Sequence, residues 1–143
     1  MTSTDPAAPR PPAILLDHVT ITVSHLPASQ AFYDAALAPL GLARVVDYLD
    51  PEDQEEVGTE AVGYGGSADE IVLWLVVDAT PTSGVHLAFR ARDENVVRSF
   101  FDEACAAGAI AHTPPRPWQI YRPGRFSAMV TDPGGNLVEA VTT

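Results

Sequence analysis

From Leu16 to Val23 the chain alternates: Val19, Ile21 and Val23 are apolar, while His18, Thr20 and Thr22 are polar. Successive side chains of a strand point to opposite faces, so the pattern predicts a strand with Val19, Ile21 and Val23 on a core and His18 on the other face. The same phase returns in Val85-His86-Leu87-Ala88-Phe89, with His86 on the polar side. The two histidines are 86 − 18 = 68 positions apart. At that offset Ala31-Phe32-Tyr33-Asp34-Ala35-Ala36-Leu37 falls without a gap on Ser99-Phe100-Phe101-Asp102-Glu103-Ala104-Cys105, aromatic pair on aromatic pair. Leu40-Gly41-Leu42 meets Ala107-Gly108-Ala109 after a slip of one. A strand and a helix repeated in register mark a duplicated module.

The first unit reads as a strand from Ile14 to Val23 and a helix opened by Pro27, carrying Phe32, Tyr33 and Leu37 and stopped by Gly41. A strand over Ala43 to Leu49 follows, then an acidic loop over Glu52 to Glu60 broken by Gly58, and a strand over Glu60 to Tyr64. Ile71 to Val77 is apolar and seven residues long, which suits a buried strand. In the second unit, Asp93 is placed to cap a helix whose apolar face is Val97, Phe101 and Ala104, and Gly108 ends it. A strand near Ile110 leads into a proline-rich loop over Pro114 to Pro123, followed by a strand over Phe126 to Thr131. Asp132-Pro133-Gly134-Gly135 is a turn by composition, and the last strand, Asn136 to Val141, has Leu137, Glu139 and Val141 on one face and Val138 and Ala140 on the other. The predicted class is α+β: a proline-rich disordered leader (1–13), one βαβββ module (14–77), a linker (78–84) and a second βαβββ module (85–143). Two four-stranded sheets facing each other would enclose a cleft, a curved half-barrel.

Composition narrows the partners. The 143 residues carry 19 acids against 8 bases, a formal charge of −11, which argues against nucleic acid and anionic lipid, both of which want a basic patch. No apolar run approaches the roughly 20 residues of a membrane span. The leader has no apolar segment of the kind a secretory signal needs. Cys105 has no partner in the chain and reads as a small core residue, in keeping with a reducing cytoplasm.

The faces bearing His18 and His86 are those turned away from the helices, and Glu139 lies on the corresponding face of the last strand. Two neutral imidazoles and a carboxylate form a good ligand set for a divalent first-row metal, and three protein ligands leave positions open for water and substrate. Set against this, a lone histidine on a strand is more often a satisfied core or surface residue; the matched placement of two of them is what favours a site.

Leu16-Asp17-His18-Val19, the helix with Ala31-Phe32-Tyr33, the segment from Arg116-Pro117-Trp118 to Arg125-Phe126, and Thr131-Asp132-Pro133-Gly134-Gly135-Asn136-Leu137-Val138-Glu139-Ala140-Val141 together resemble the vicinal oxygen chelate superfamily. That group includes glyoxalase I, bleomycin-resistance proteins, fosfomycin-resistance enzymes and extradiol dioxygenases. The resemblance covers about Leu15 to Val141. It implies paired βαβββ modules with a divalent metal (zinc, nickel, manganese or iron) in the cleft, held by His18, His86 and Glu139. It also implies a small oxygenated substrate and a homodimer. Glyoxalase I has a fourth ligand, a glutamate on the last strand of the first module; here that position falls on Leu73 or Trp74, which puts a lactoylglutathione lyase in doubt. The shared chemistry is Lewis-acid stabilisation of an enolate or other oxyanion in lyase or isomerase reactions. Glu139, loosening from the metal, is the first candidate base, with Tyr121 and His112 behind it. Two further functions fit the resemblance: an iron-dependent extradiol-type dioxygenase, and a metal-free protein that sequesters a drug or metabolite.

Overall fold

The computed structural model describes residues 15–118 and 123–142 of the chain. In the first half, β1 (Val19–Val23), α1 (Leu26–Leu37), β2 (Ala43–Tyr48), α2 (Pro51–Val57), β3 (Ala61–Gly65) and β4 (Ile71–Val77) follow one another. The second half holds β5 (His86–Arg90), α3 (Glu94–Ala106), β6 (Ile110–Pro117), β7 (Phe126–Thr131) and β8 (Leu137–Thr142). They form two four-stranded sheets of matching order, β1-β4-β3-β2 and β5-β8-β7-β6. In each sheet the first strand lies parallel to the last, and the remaining pairs are antiparallel. The fold is α+β. Within one chain the sheets stay open rather than closing into a barrel, and the halves meet through α1 packed against α3.

The helices begin at equivalent places. His25 caps α1, its Nδ1 accepting from the Ala28 amide, and Asp93 caps α3 by accepting from the Val96 amide; the two caps are 93 − 25 = 68 positions apart. Phe32 and Phe100, and likewise Ala36 and Ala104, are wholly buried in the shared core. On the sheets the core takes Ile21, Leu73 and Leu75 from the first half and Ala128, Val130, Val138 and Ala140 from the second.

Several expectations need correction. The acidic segment read as a loop is a helix, α2: Pro51 opens it, Glu52 and Asp53 stand in its first turn beside the unpaired amides, and Gly58 closes it at φ +93°. The proline-rich stretch is strand as far as Pro117, because β6 is an edge strand with register shifts, where a missing N–H costs no ladder bond. The first strand starts at Val19, later than read. The buried face of α3 is Val96, Val97, Phe100 and Ala104, with Phe101 only partly buried, since the helix packs on both α1 and its own sheet. The leader lies outside the described residues, apart from which Leu15 and Leu16 are exposed.

One buried bond joins the halves. The Tyr33 hydroxyl donates to Asp132 Oδ2 at 2.6 Å, while Asp132 Oδ1 accepts from the amides of Gly134 and Asn136. The linker is held on the same seam: Thr82 bonds Thr22 through amide and hydroxyl, and its carbonyl accepts from Asn136 Nδ2. A second buried phenol, Tyr64, donates to Asp34 Oδ1 at 2.8 Å.

Burial first, and the neighbouring carboxylates after it, push both phenols above the ordinary tyrosine range. Below pH about 10 the folded and unfolded chains both keep these protons; above it only the unfolded chain releases them, so stability falls as pH rises. Tyr33 alone contributes a loss of about 1.4 kcal/mol per pH unit above that point, and Tyr64 adds to it in the same direction. Urea unfolding at pH 9, 10 and 11 reads this slope. Tyr33→Phe should flatten it, and an unchanged slope in that variant would refute the assignment.

Candidate functional site

The open face of the second sheet carries the imidazole–carboxylate pair. The parallel pairing of β5 with β8 sets Ala88 beside Glu139 and Arg90 beside Val141, so His86, Ala88 and Arg90 stand on the same face as Glu139. Val138 and Ala140 take the core face and are wholly buried. His86 Nε2 lies 2.8 Å from Glu139 Oε1. The pair is uneven: the Glu139 side chain is 5% exposed and that of His86 50%. Met129, across from Glu139 on β7, is buried too. Among the described residues the Glu139 carboxylate has no hydrogen-bond partner other than this imidazole. Burying a carboxylate with so little compensation is costly, and such groups usually pair with a cation.

His18 stands just before β1, with its Nδ1 2.7 Å from Asp17 Oδ1. That bond leaves Nε2 available as a donor, the arrangement a carboxylate gives to metal-binding histidines. Among the described residues of one chain, no three His, Cys, Asp or Glu side chains gather around one point. His86 and Glu139 therefore meet, and His18 remains on the other sheet. Tyr121 lies outside the described residues. His112 is on the edge strand β6, exposed, and bonded to Thr113 Oγ1. His25 is the cap of α1; a polar residue three before the capped amide was the available signal.

Register also decides the missing fourth position. In the first sheet Thr20 lies beside Trp74, as Ala88 lies beside Glu139 in the second; Thr20 and Ala88 are 68 apart, so Trp74, not Leu73, corresponds to Glu139. Leu73 is wholly buried in the core. Trp74 stacks on Tyr48 with ring planes 9° apart and centroids 5.9 Å apart. It also covers Gly63, where a Cβ would come within 3.1 Å of both the indole and Ile71 Cγ2. The first sheet thus presents an aromatic wall where the second presents an acid. Gly63→Ala should cost roughly 1–3 kcal/mol through overpacking. Urea unfolding followed by tryptophan fluorescence checks it, and a loss under a few tenths would show that the indole is free to move aside.

Two open four-stranded sheets from paired βαβββ modules, with an imidazole–carboxylate pair on the helix-free face of one, define an α+β class of protein. The model of the Glyoxalase/Bleomycin resistance protein/Dioxygenase superfamily matches residues 15–140, and the chain belongs to that superfamily. Among solved structures it is similar to a glyoxalase/bleomycin resistance protein from Albidiferax ferrireducens T118, with 22% identity, TM-score 0.71, and coverage of 89% of this chain and 98% of that one. A glyoxalase-related enzyme from Fulvimarina pelagi matches at 22% identity and TM-score 0.64, over 92% of this chain and 89% of the other. Glyoxalase I from Zea mays matches at 16% identity and TM-score 0.63, over 88% of this chain but 43% of its own. No curated protein matches significantly. Among the described residues no helix is long and apolar enough to cross a membrane.

Proposed function

We propose that the chain is a divalent-metal-dependent enzyme acting on a small oxygenated molecule by lyase or isomerase chemistry. His86 and Glu139 serve as two ligands and His18 of a second copy of the chain as the third. The observation that carries this reading is the buried Glu139 carboxylate facing only the His86 imidazole at 2.8 Å. Two donors on one ion stand about 3 Å apart at ordinary metal–nitrogen and metal–oxygen lengths, so the pair fits a cation after a shift of tenths of an ångström. Nitrogen and carboxylate donors suit zinc, nickel, manganese or iron. When bound, the ion supplies Lewis-acid stabilisation of an oxyanion.

The chain's own residues do the rest. Glu139, beside Ala88 and Met129 on the sheet, is the carboxylate placed to take up a proton from substrate. His86, half exposed, stands beside that carboxylate with its Nε2 facing Oε1. The open sheets support assembly between two copies, which gives Glu139 and His18 a common cleft. Tyr121 is kept as a second candidate for proton transfer. The same reading takes the protein as a cytoplasmic homodimer.

Metal analysis of the purified full chain tests the proposal. His18→Ala is expected to lower metal content with little change in circular dichroism; metal content equal to wild type would remove His18 from the site. Wild-type protein free of metal, and refusing it on addition, would shift the reading to the sequestering branch. Oxygen uptake with a catechol after anaerobic iron loading would shift it to the dioxygenases.

A further inference from the structure

The chain has eight basic residues, all of them arginine, against 19 acids. Three of the six described arginines have a visible structural task. Arg44 pairs with Asp34, Arg98 lies over the Phe126 ring at 4.9 Å, and Arg116 lies over the Trp118 ring at 4.6 Å. Arg90 and Arg125 make no ion pair among the described residues, and Arg92 engages Asp93 only through Nε, at 3.4 Å. These three converge. With Ala88, Val141 and Thr142 they line a cavity of about 450 Å³ on the His86–Glu139 face of the second sheet.

We propose that this cavity binds the anionic group, a carboxylate or phosphoryl, of the substrate. Three arginines and no acidic residue among the residues lining one cavity, in a chain of net charge −11, make a local cationic patch suited to an anion they share. The volume is that of a small-molecule site. Position supplies the second argument. Ala88, which lines the cavity, is the strand neighbour of Glu139, and Arg90 is two residues further along β5, a step of about 7 Å. A ligand anchored on the arginines therefore extends its other oxygens towards His86 and Glu139. Arg125 is held in place, its carbonyl accepting from the Trp118 amide at 2.7 Å. The wholly buried Ser127 hydroxyl, on the same face opposite Val141, has no partner among the described residues. The proposal rests on the reading of His86 and Glu139 as metal ligands for the direction in which the substrate lies, and on the arginines alone for its charge.

Inorganic phosphate and succinate, titrated at constant ionic strength into the EDTA-treated full chain, are the probes, with backbone amide shifts read by NMR. Saturable shifts centred on Arg90, Arg92, Arg125 and Thr142 are expected with at least one of them. Tighter phosphate binding assigns a phosphoryl group and tighter succinate binding a carboxylate. Arg90→Gln combined with Arg125→Gln should weaken binding about tenfold or more, while Arg44→Gln leaves it unchanged. Shifts that do not saturate for either probe, or equal affinity in the double variant, overturn the proposal. The same titration on His86→Ala keeps the two readings apart. Anion binding retained in a variant whose metal content equals that of wild type leaves this proposal standing and sinks His86 as a ligand, and loss of metal in the variant with no saturable anion binding in either protein does the reverse.

Discussion

With Glu139 as a ligand of the proposed metal site, Glu139→Gln is expected to yield a folded protein whose divalent metal content falls to about a tenth of the wild-type value or less. The amide keeps the shape of the side chain and a contact for His86, so circular dichroism should be unchanged, but the anionic donor is gone. Stability moves the other way. In metal-free protein the buried carboxylate faces one half-exposed imidazole, an arrangement whose desolvation cost exceeds its gain, so the variant should match or exceed wild type in urea. Elemental analysis and urea unfolding of the same preparation measure both. Wild-type metal content in the variant would show that Glu139 is not a ligand. A marked loss of stability would show that the carboxylate is a structural partner of His86.

Asp132→Ala should be the most destabilising polar substitution, at roughly 3–5 kcal/mol. The carboxylate is buried and receives the Tyr33 hydroxyl, the Gly134 and Asn136 amides and Asn136 Nδ2. Alanine leaves all of these without their acceptor in a place that water does not reach. Against a typical total of about 5–15 kcal/mol this is a large share, and the melting temperature should fall by roughly 10 °C. Asp132→Asn, which still accepts through its carbonyl oxygen, should recover part of the loss. Equal stability of the aspartate and alanine proteins in denaturant would mean that the seam between the halves is held by packing alone.

Much of the architecture was legible because two periodicities coincide. Alternation put Val19, Ile21 and Val23 opposite His18, and the spacing of 68 carried that phase to His86 and the helices. The run Ile71–Val77 coincides with β4, since an apolar stretch of that length, bounded by turn residues, has no other place to go. Misreadings came where composition outweighed position. Acidic residues suggested a loop over α2, although Asp50-Pro51 and Gly58 are start and stop signals for a helix. Three prolines suggested a loop over β6, because edge position is a property of the assembled sheet and not of the residues. At the site, phase placed Glu139 on the His86 face, but the contact between them depends on the parallel register of β5 and β8, which only the fold supplies. The meeting of Arg90 with Arg125 was hidden for the same reason: the two are 35 positions apart in the chain.

The bond between Tyr33 and Asp132 has no mirror image. The residue 68 places on from Tyr33 is Phe101, which lacks a hydroxyl, and the turn after β3 opens with Gly66 where the turn after β7 opens with Asp132. The two halves are therefore a plug and a socket, each cut for the other. Two first halves, or two second halves, joined by the same linker would meet with both phenols, or both carboxylates, lacking a mate. Whatever duplication produced this chain, its products have since specialised past the point of being interchanged.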